Sequence, residues 1–334
     1  MMRVAAIDCG TNSIRLLVAD LDGSALVDVD RRMEIVRLGE GVDRTGRLAP
    51  EALRRTFAAC DRYAEVVQRT GAERVRFVAT SASRDVDNRD EFTAGVRDRL
   101  GVEPEVITGD TEAALSFIGA TRELLHLSAA QPGLAQPAAD KLGGGVASPV
   151  LVVDIGGGST ELVLGDPGQP PDAARSVDIG CVRLTERHLH DDPPTAEQVA
   201  AARADIDAAM RLAATTVPLA SARTLVGLAG SVTTVAAMAL DLPAYLPDRI
   251  HHSRIPTHDV RRVAARLLAM THDQRAALPF MHPGRVDVIG AGALVLAELL
   301  DHLPVDDVVV SEHDILDGIA WSLVDPPGSS GRSE

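Results

Sequence analysis

Hydrophobic positions in this chain form two short runs around a small polar cluster, and that pattern occurs twice. Val4-Ala5-Ala6-Ile7 leads to Asp8, then Cys9-Gly10-Thr11-Asn12-Ser13, then a second run ending in Leu16-Leu17-Val18. Val150-Leu151-Val152-Val153 leads to Asp154, then Gly156-Gly157-Gly158-Ser159, then Leu162-Val163-Leu164, and segments 4–18 and 150–164 align without a gap. Two apolar runs around a glycine-containing turn predict a β-hairpin. A turn without bulky side chains lets backbone N–H groups and hydroxyls approach an anion closely. One such hairpin reads equally well as an ordinary turn. Two copies, with Asp8 on Asp154, Gly10 on Gly156 and Ser13 on Ser159, predict a duplicated phosphate-holding device whose loops face one another across a cleft. The Asp at the strand end repels phosphate, and its expected partner is a metal ion or that ion's waters.

Between and after the hairpins, strand and helix patterns alternate, which predicts an α/β fold. In the first half the reading gives a strand at Met33–Leu38 and a helix from Pro50 to about Thr70 that puts Leu53, Phe57, Cys60 and Ala64 on one face. A strand at Val75–Ala79 runs into Thr80-Ser81-Ala82-Ser83-Arg84. A helix at Asn88–Leu100 and a strand at Val106-Ile107 follow, and Thr108-Gly109-Asp110-Thr111-Glu112 opens an apolar helix to about His126. The second half repeats the plan. It has strands at Ala174–Ile179, Thr224–Leu228 and Val308–Val310, and a loop at Ala229–Thr234. Its helices are placed at Thr195–Thr215, from His258, at Val286–Leu300 and at Asp314–Leu323. Residues 128–148, rich in Ala, Pro and Gly, read as a linker or surface insertion, and 325–334 as a disordered tail. The expected domains are therefore 1–127, joined by a C-terminal helix at 312–324, and 149–311.

Composition narrows the chemistry. A chain of 334 residues with 46% hydrophobic and 24% charged residues suits two soluble globular domains. No apolar stretch approaches the ~20 residues that span a bilayer, and the N-terminus opens into a strand, so neither a membrane anchor nor a signal peptide is expected. Cys9, Cys60 and Cys181 are few and widely spaced, as free thiols in a reducing cytoplasm would be. Cys9 reads as a small loop filler. The formal charge of −15 opposes nonspecific nucleic-acid binding. It also requires any phosphate site to be locally basic or screened by a divalent ion.

Taken together, the segments are recognisable. The duplicated hairpin resembles the superfamily of acetate and sugar kinases, heat-shock chaperones and actin, whose two ribonuclease-H-like lobes bind phosphates between them. Within it, six segments in order resemble the exopolyphosphatase/guanosine pentaphosphate phosphohydrolase family over nearly the whole chain. They are Ala6–Ser13, Ala79–Arg84, Thr108–Ala113, Val153–Glu161, His282–Ile289 and Val310–His313. The chain looks like the short, two-domain form, without the further helical domain of longer members. It departs from the family where an acidic cluster often precedes the catalytic Glu; here Asp110-Thr111 precede Glu112.

The resemblance implies hydrolysis of a terminal phosphoanhydride by Glu112 as base, with Arg84 as a charged phosphate clamp. Phosphates are expected on Gly10, Thr11, Asn12 and Ser13, on Gly156, Gly157, Gly158 and Ser159, and on Gly230 and Ser231. Mg²⁺ or Mn²⁺ is expected on Asp154 and Glu161. The residues alone leave blander roles open. Arg84 could be a solvated arginine at a helix start, Glu112 a helix cap, and Glu161, in phase with Leu162 and Leu164, a solvent-facing strand residue. His282 and Arg285 could border the cleft. His251, His252 and His258 invite a metal assignment, but no cysteine or carboxylate has the spacing of a zinc site, so they read as structural or surface residues. The substrate implied is inorganic polyphosphate or, by the same chemistry, guanosine pentaphosphate; an ATP-dependent kinase is a more remote alternative. A homodimer is expected, with no nucleic-acid or membrane partner.

Overall fold

The structure, a computed structural model, describes residues 2–22, 25–84, 86–129 and 146–324. Most of the linker expected at 128–148, and all of the tail at 325–334, lie outside the described residues. The chain forms two compact units. One contains the chain up to Gly119 together with the chain from Ile315, and the other runs from Ala120 to Asp314.

The first unit is built on a five-stranded sheet in the order β3-β2-β1-β4-β5. Its strands are β1 (Met2–Cys9), β2 (Ser13–Asp22), β3 (Ala25–Ile35), β4 (Arg74–Ala79) and β5 (Glu105–Val106). β1 pairs antiparallel with β2 and parallel with β4, so it is central and needs apolar residues on both faces. That is why Val4–Ile7 is an unbroken apolar run. Ala5, Ile7 and Cys9 pack with the helices Pro50–Thr70 and Arg89–Leu100, while Val4 and Ala6 pack with the helix Ile315–Ser322. The Pro50–Thr70 helix has the bounds its periodicity predicts: Pro50 occupies its first turn, and Gly71 at φ 70° ends it, giving its N–H to the Val67 and Gln68 carbonyls. β3 begins earlier than expected and stops at Ile35, because Arg37 adopts φ 48° and turns the chain.

The helix Ile315–Ser322 is fixed to this sheet by polar contacts that local sequence does not announce. Arg31 reaches the buried Asp317, Arg76 donates to Ser322 Oγ, and Arg74 donates to the Leu323 carbonyl. Against the helix Gly109–Ala129 it packs through Gly318, where a Cβ would lie 2.0 Å from the Leu115 carbonyl oxygen.

The second unit has a six-stranded sheet in the order β10-β11-β9-β6-β7-β8. Its strands are β6 (Val150–Ile155), β7 (Thr160–Gly165), β8 (Ala173–Val177), β9 (Thr224–Leu228), β10 (Arg254–Pro256) and β11 (Asp307–Val310). Leaving out the edge strand β10, the order β8-β7-β6-β9-β11 repeats the first sheet, with the same antiparallel and parallel senses. This is the ribonuclease-H-like arrangement in both units. Thr195 caps the helix Ala196–Ala214 through a capping box with Gln198. The segment Ala229–Thr234, expected as a loop, is instead the first turn and a half of a helix, Ala229–Ala239. Its Gly, Ser, Thr and Val residues are weak helix formers in isolation. Burial of nearly every side chain supplies what propensity does not.

Replacing Gly318 tests the docking of the returning helix. Gly318→Ala should destabilise the protein by about 1–3 kcal/mol through overpacking against the Leu115 backbone. Gly290→Ala, whose Cβ would meet only Leu268 at 3.4 Å, should be nearly neutral. Urea midpoints of the two variants decide the matter; equal midpoints would remove the tight helix contact.

Candidate active site

In the first unit the β1–β2 turn is held from behind. Gly10 N–H donates to the Ser13 carbonyl at 2.9 Å, the Asn12 carbonyl accepts from Val36 and Arg37, and the Thr11 carbonyl accepts from Gly39 N–H. Thr11 Oγ1 lies 2.9 Å from Ser81 Oγ, which ties the turn to the segment after β4. With its carbonyls engaged, the turn is set to offer N–H groups. Cys9 is buried, and burial raises its thiol above the ordinary range, so it is the inert filler its surroundings imply.

Arg84 and Glu112, 28 residues apart, meet. Arg84 Nη2 donates to Glu112 Oε2 at 2.6 Å, and Arg84 Nε donates to the Ile107 carbonyl at 3.1 Å. The capping role that Glu112 could have filled falls to Thr108, whose Oγ1 accepts the Thr111 N–H at 3.2 Å. Glu112 is therefore a nearly buried carboxylate aimed by a guanidinium, and Arg84 is not a solvated helix-start arginine.

Asp8 pairs with an arginine. In the hairpin register Asp8 stands opposite Arg15, whose Nη2 and Nε reach Asp8 Oδ2 at 2.6 and 3.0 Å. The first hairpin thus neutralises its carboxylate internally.

The second hairpin has the same register but the opposite chemistry. Asp154 stands opposite Glu161, at 7% and 1% exposure. Two hard carboxylates so placed suit Mg²⁺ or Mn²⁺. Glu161 is not the solvent-facing residue that alternation allowed. β7 is buried along its whole length, and Ser176 on β8 donates to Glu161 Oε1 at 2.7 Å.

The turn Gly156–Ser159 is held by the helix Cys181–His188, which the sequence pattern did not reveal. Cys181 N–H donates to the Gly156 carbonyl, and the Val182 and Arg183 N–H groups to that of Gly157. Gly180 lets this happen: a Cβ there would lie 2.5 Å from the Gly157 backbone. Ser159 is buried just before β7, whereas Gly156 and Gly157 are partly open.

Gly230 and Ser231 sit at the N-terminal end of the Ala229–Ala239 helix, where the backbone carries partial positive charge. The Arg285 guanidinium lies over Gly230, so close that a Cβ would be 2.3 Å from its Cζ, and Nη1 is 3.3 Å from Thr234 Oγ1. Arginine and helix end together suit an anion. His282 is partly buried, and burial and then Arg285 lower its pKa, which keeps the ring neutral at pH 7. Tyr245 lies 2.8 Å from both Thr233 Oγ1 and Glu312 Oε1, and burial, helped by Glu312, pushes its pKa up to about 12.

Sequence reasoning missed Arg15, Ser176 and Tyr245. Arg15 was recoverable, since the antiparallel register pairs it with Asp8 once the turn is fixed. Ser176 and Tyr245 depend on a third strand and a distant loop that carry no local signal.

The chain matches the Ppx/GppA phosphatase family over residues 17–133 and 142–326. It is 52% identical to Exopolyphosphatase 2 of Mycobacterium tuberculosis over 336 aligned positions, covering 97% of this chain and 99% of that one. Among solved structures, an exopolyphosphatase-like protein superposes with a TM-score of 0.86 at 40% identity, covering 96% of this chain and 98% of its own. A Ppx/GppA protein of Aquifex aeolicus superposes at 0.77 and 29% identity, covering 98% and 99%.

If Asp154 and Glu161 hold a divalent ion, Mg²⁺ should raise the unfolding temperature of the wild-type protein, because an ion bound only by the native state stabilises it. Asp154→Asn and Glu161→Gln should each lose that rise. Scanning fluorimetry with and without Mg²⁺ reads it directly, and an undiminished rise in both variants would place the ion elsewhere.

Proposed function

We propose that this chain, which belongs to the Ppx/GppA phosphatase family, is an exopolyphosphatase that releases orthophosphate from the end of inorganic polyphosphate. The observation that carries this reading is likeness along nearly the entire chain to a relative named for that activity. The chemistry of each half-site supports it. Hydrolysing a phosphoanhydride needs neutralised phosphate oxygens, a placed water and a group to take its proton.

In the first unit, the Gly10–Ser13 turn binds phosphate oxygens through N–H groups and hydroxyls. Arg84 holds the terminal phosphate while aiming the Glu112 carboxylate, and Glu112 accepts the proton of the attacking water. In the second unit, the Gly156–Ser159 turn takes further phosphates, as do Gly230 and Ser231 with the helix end and Arg285. Asp154 and Glu161 would hold Mg²⁺ or Mn²⁺, which supplies positive charge for the phosphate oxygens when bound. The overall charge of −15 makes these local cationic elements necessary. Among the described residues no helix is long and apolar enough to cross a membrane. A cytoplasmic setting is supported by three free, buried cysteines. A homodimer is part of the proposal on the family resemblance alone.

Two measurements test this. Glu112→Gln should retain the fold and lower phosphate release by about 10²-fold or more, the scale of a lost general base; near-wild-type turnover would end the catalytic role of Glu112. A kcat/KM series against polyphosphate length, with guanosine pentaphosphate and ATP alongside, should rise with length and level off at modest lengths, with ATP poor. Contacts on remote phosphates add binding that short substrates cannot use. A higher value for guanosine pentaphosphate than for every polyphosphate would make the chain a guanosine pentaphosphate phosphohydrolase.

A further inference from the structure

In the second unit two histidines that the proposed reaction does not use converge on one carboxylate oxygen. His251 Nε2 lies 2.9 Å from Glu123 Oε2, although the two residues are 128 positions apart, and His313 Nδ1 lies 3.1 Å from the same oxygen. One donor atom from each of the three residues lies within 4.8 Å of the other two. The separation in sequence is why the histidines read as structural or surface residues: no carboxylate near them has metal-site spacing, and the one that matters arrives on a distant helix.

The surroundings hold these rings in place. His252 stacks on His251 with ring centroids 3.7 Å apart, and the His252 N–H donates to the Val310 carbonyl. Ser311 Oγ accepts the His313 N–H at 3.1 Å and donates to its carbonyl at 2.6 Å. The side chains of His251, Glu123 and His313 are 20%, 37% and 39% exposed, so the cluster is anchored on the protein side and open to ions from solvent. His258, by contrast, is 79% exposed beside Asp259 and is the surface residue it was expected to be.

Two imidazoles and a carboxylate are the donor set of first-row divalent ions such as zinc, which accept nitrogen ligands that Mg²⁺ does not favour. Ligand bonds of ~2.1 Å place neighbouring donor atoms ~3.0–3.4 Å apart, from right-angled to tetrahedral geometry. The observed 2.9 and 3.1 Å from Glu123 lie close to that range, and all three donor atoms are within 4.8 Å of one another, so a small adjustment admits an ion. We propose that Glu123, His251 and His313 form a second metal site, selective for Zn²⁺ or a similar first-row ion, with water completing the coordination. It is separate in residues and in donor chemistry from the Asp154–Glu161 pair.

One feature fixes its character. His251 Nδ1 accepts the Glu312 N–H at 3.1 Å, which leaves the neutral ring's proton on Nε2, facing Glu123. An ion on Nε2 displaces that proton to Nδ1 and breaks the bond to Glu312. Ligating histidines ordinarily donate from their other nitrogen, so this site lacks one element of a permanently filled centre.

The test uses the full-length protein in saturating Mg²⁺, titrated with Zn²⁺ against a chromophoric chelator. Wild type and Asp154→Asn should each bind one equivalent, and His313→Gln and Glu123→Gln should bind at least tenfold more weakly. These two side chains are partly exposed, so their replacement leaves the core intact; far-ultraviolet circular dichroism checks the fold. Zn²⁺ should also raise the unfolding temperature of the wild type and not that of His313→Gln. Three outcomes would overturn the proposal: no stoichiometric Zn²⁺ binding by wild type, binding untouched by both ligand variants, or binding lost in Asp154→Asn. The first would leave the cluster as a hydrogen-bonded His–Glu–His group without an ion.

Discussion

The register between the two strands of each hairpin is the constraint on which the proposed chemistry depends. In both units a central strand carries an apolar run into the core and ends in an Asp. Antiparallel pairing then decides what faces that Asp: Arg15 opposite Asp8, and Glu161 opposite Asp154. A slip of one residue would turn a strand over and change which side chain faces each Asp. The buried faces enforce the register, and the register in turn places the carboxylates. Fold stability and site geometry therefore rest on the same set of strand contacts.

The two hairpins share a register and differ in the charge of the residue that faces the Asp. The Arg15–Asp8 pair satisfies its own charge, leaving the first unit to contribute turn amides and the Arg84–Glu112 pair. In the second unit the nearly buried Asp154 and Glu161 face one another instead, and these are the carboxylates proposed to hold a divalent ion. Each half-site is buttressed by elements outside its hairpin. The Gly39 amide and Ser81 secure the first turn, and the N-terminus of the Cys181–His188 helix, admitted by Gly180, secures the second. In both turns carbonyl oxygens are occupied from behind, which is a simple way to present N–H groups to an anion from an acidic protein.

Local pattern by itself determined the elements and their order. Apolar alternation and runs place most strands and the long helices, and Pro50, Gly71 and the Thr195–Gln198 capping box mark helix ends because those residues act on their immediate neighbours. The gap-free repeat determined the two hairpins, and the family resemblance assigned roles to Glu112, Arg84, Asp154 and Glu161. Tertiary structure alone decided what those side chains meet. It brought Arg84 to Glu112, relieved Glu112 of a capping role by means of Thr108, and buried Glu161 under Ser176. It made Ala229–Thr234 helical against weak propensity, and it gathered Glu123, His251 and His313 on one oxygen. The physical reason is range: capping, turn chemistry and periodicity act within a few residues, whereas ion pairs and ligand sets join atoms that only packing brings together.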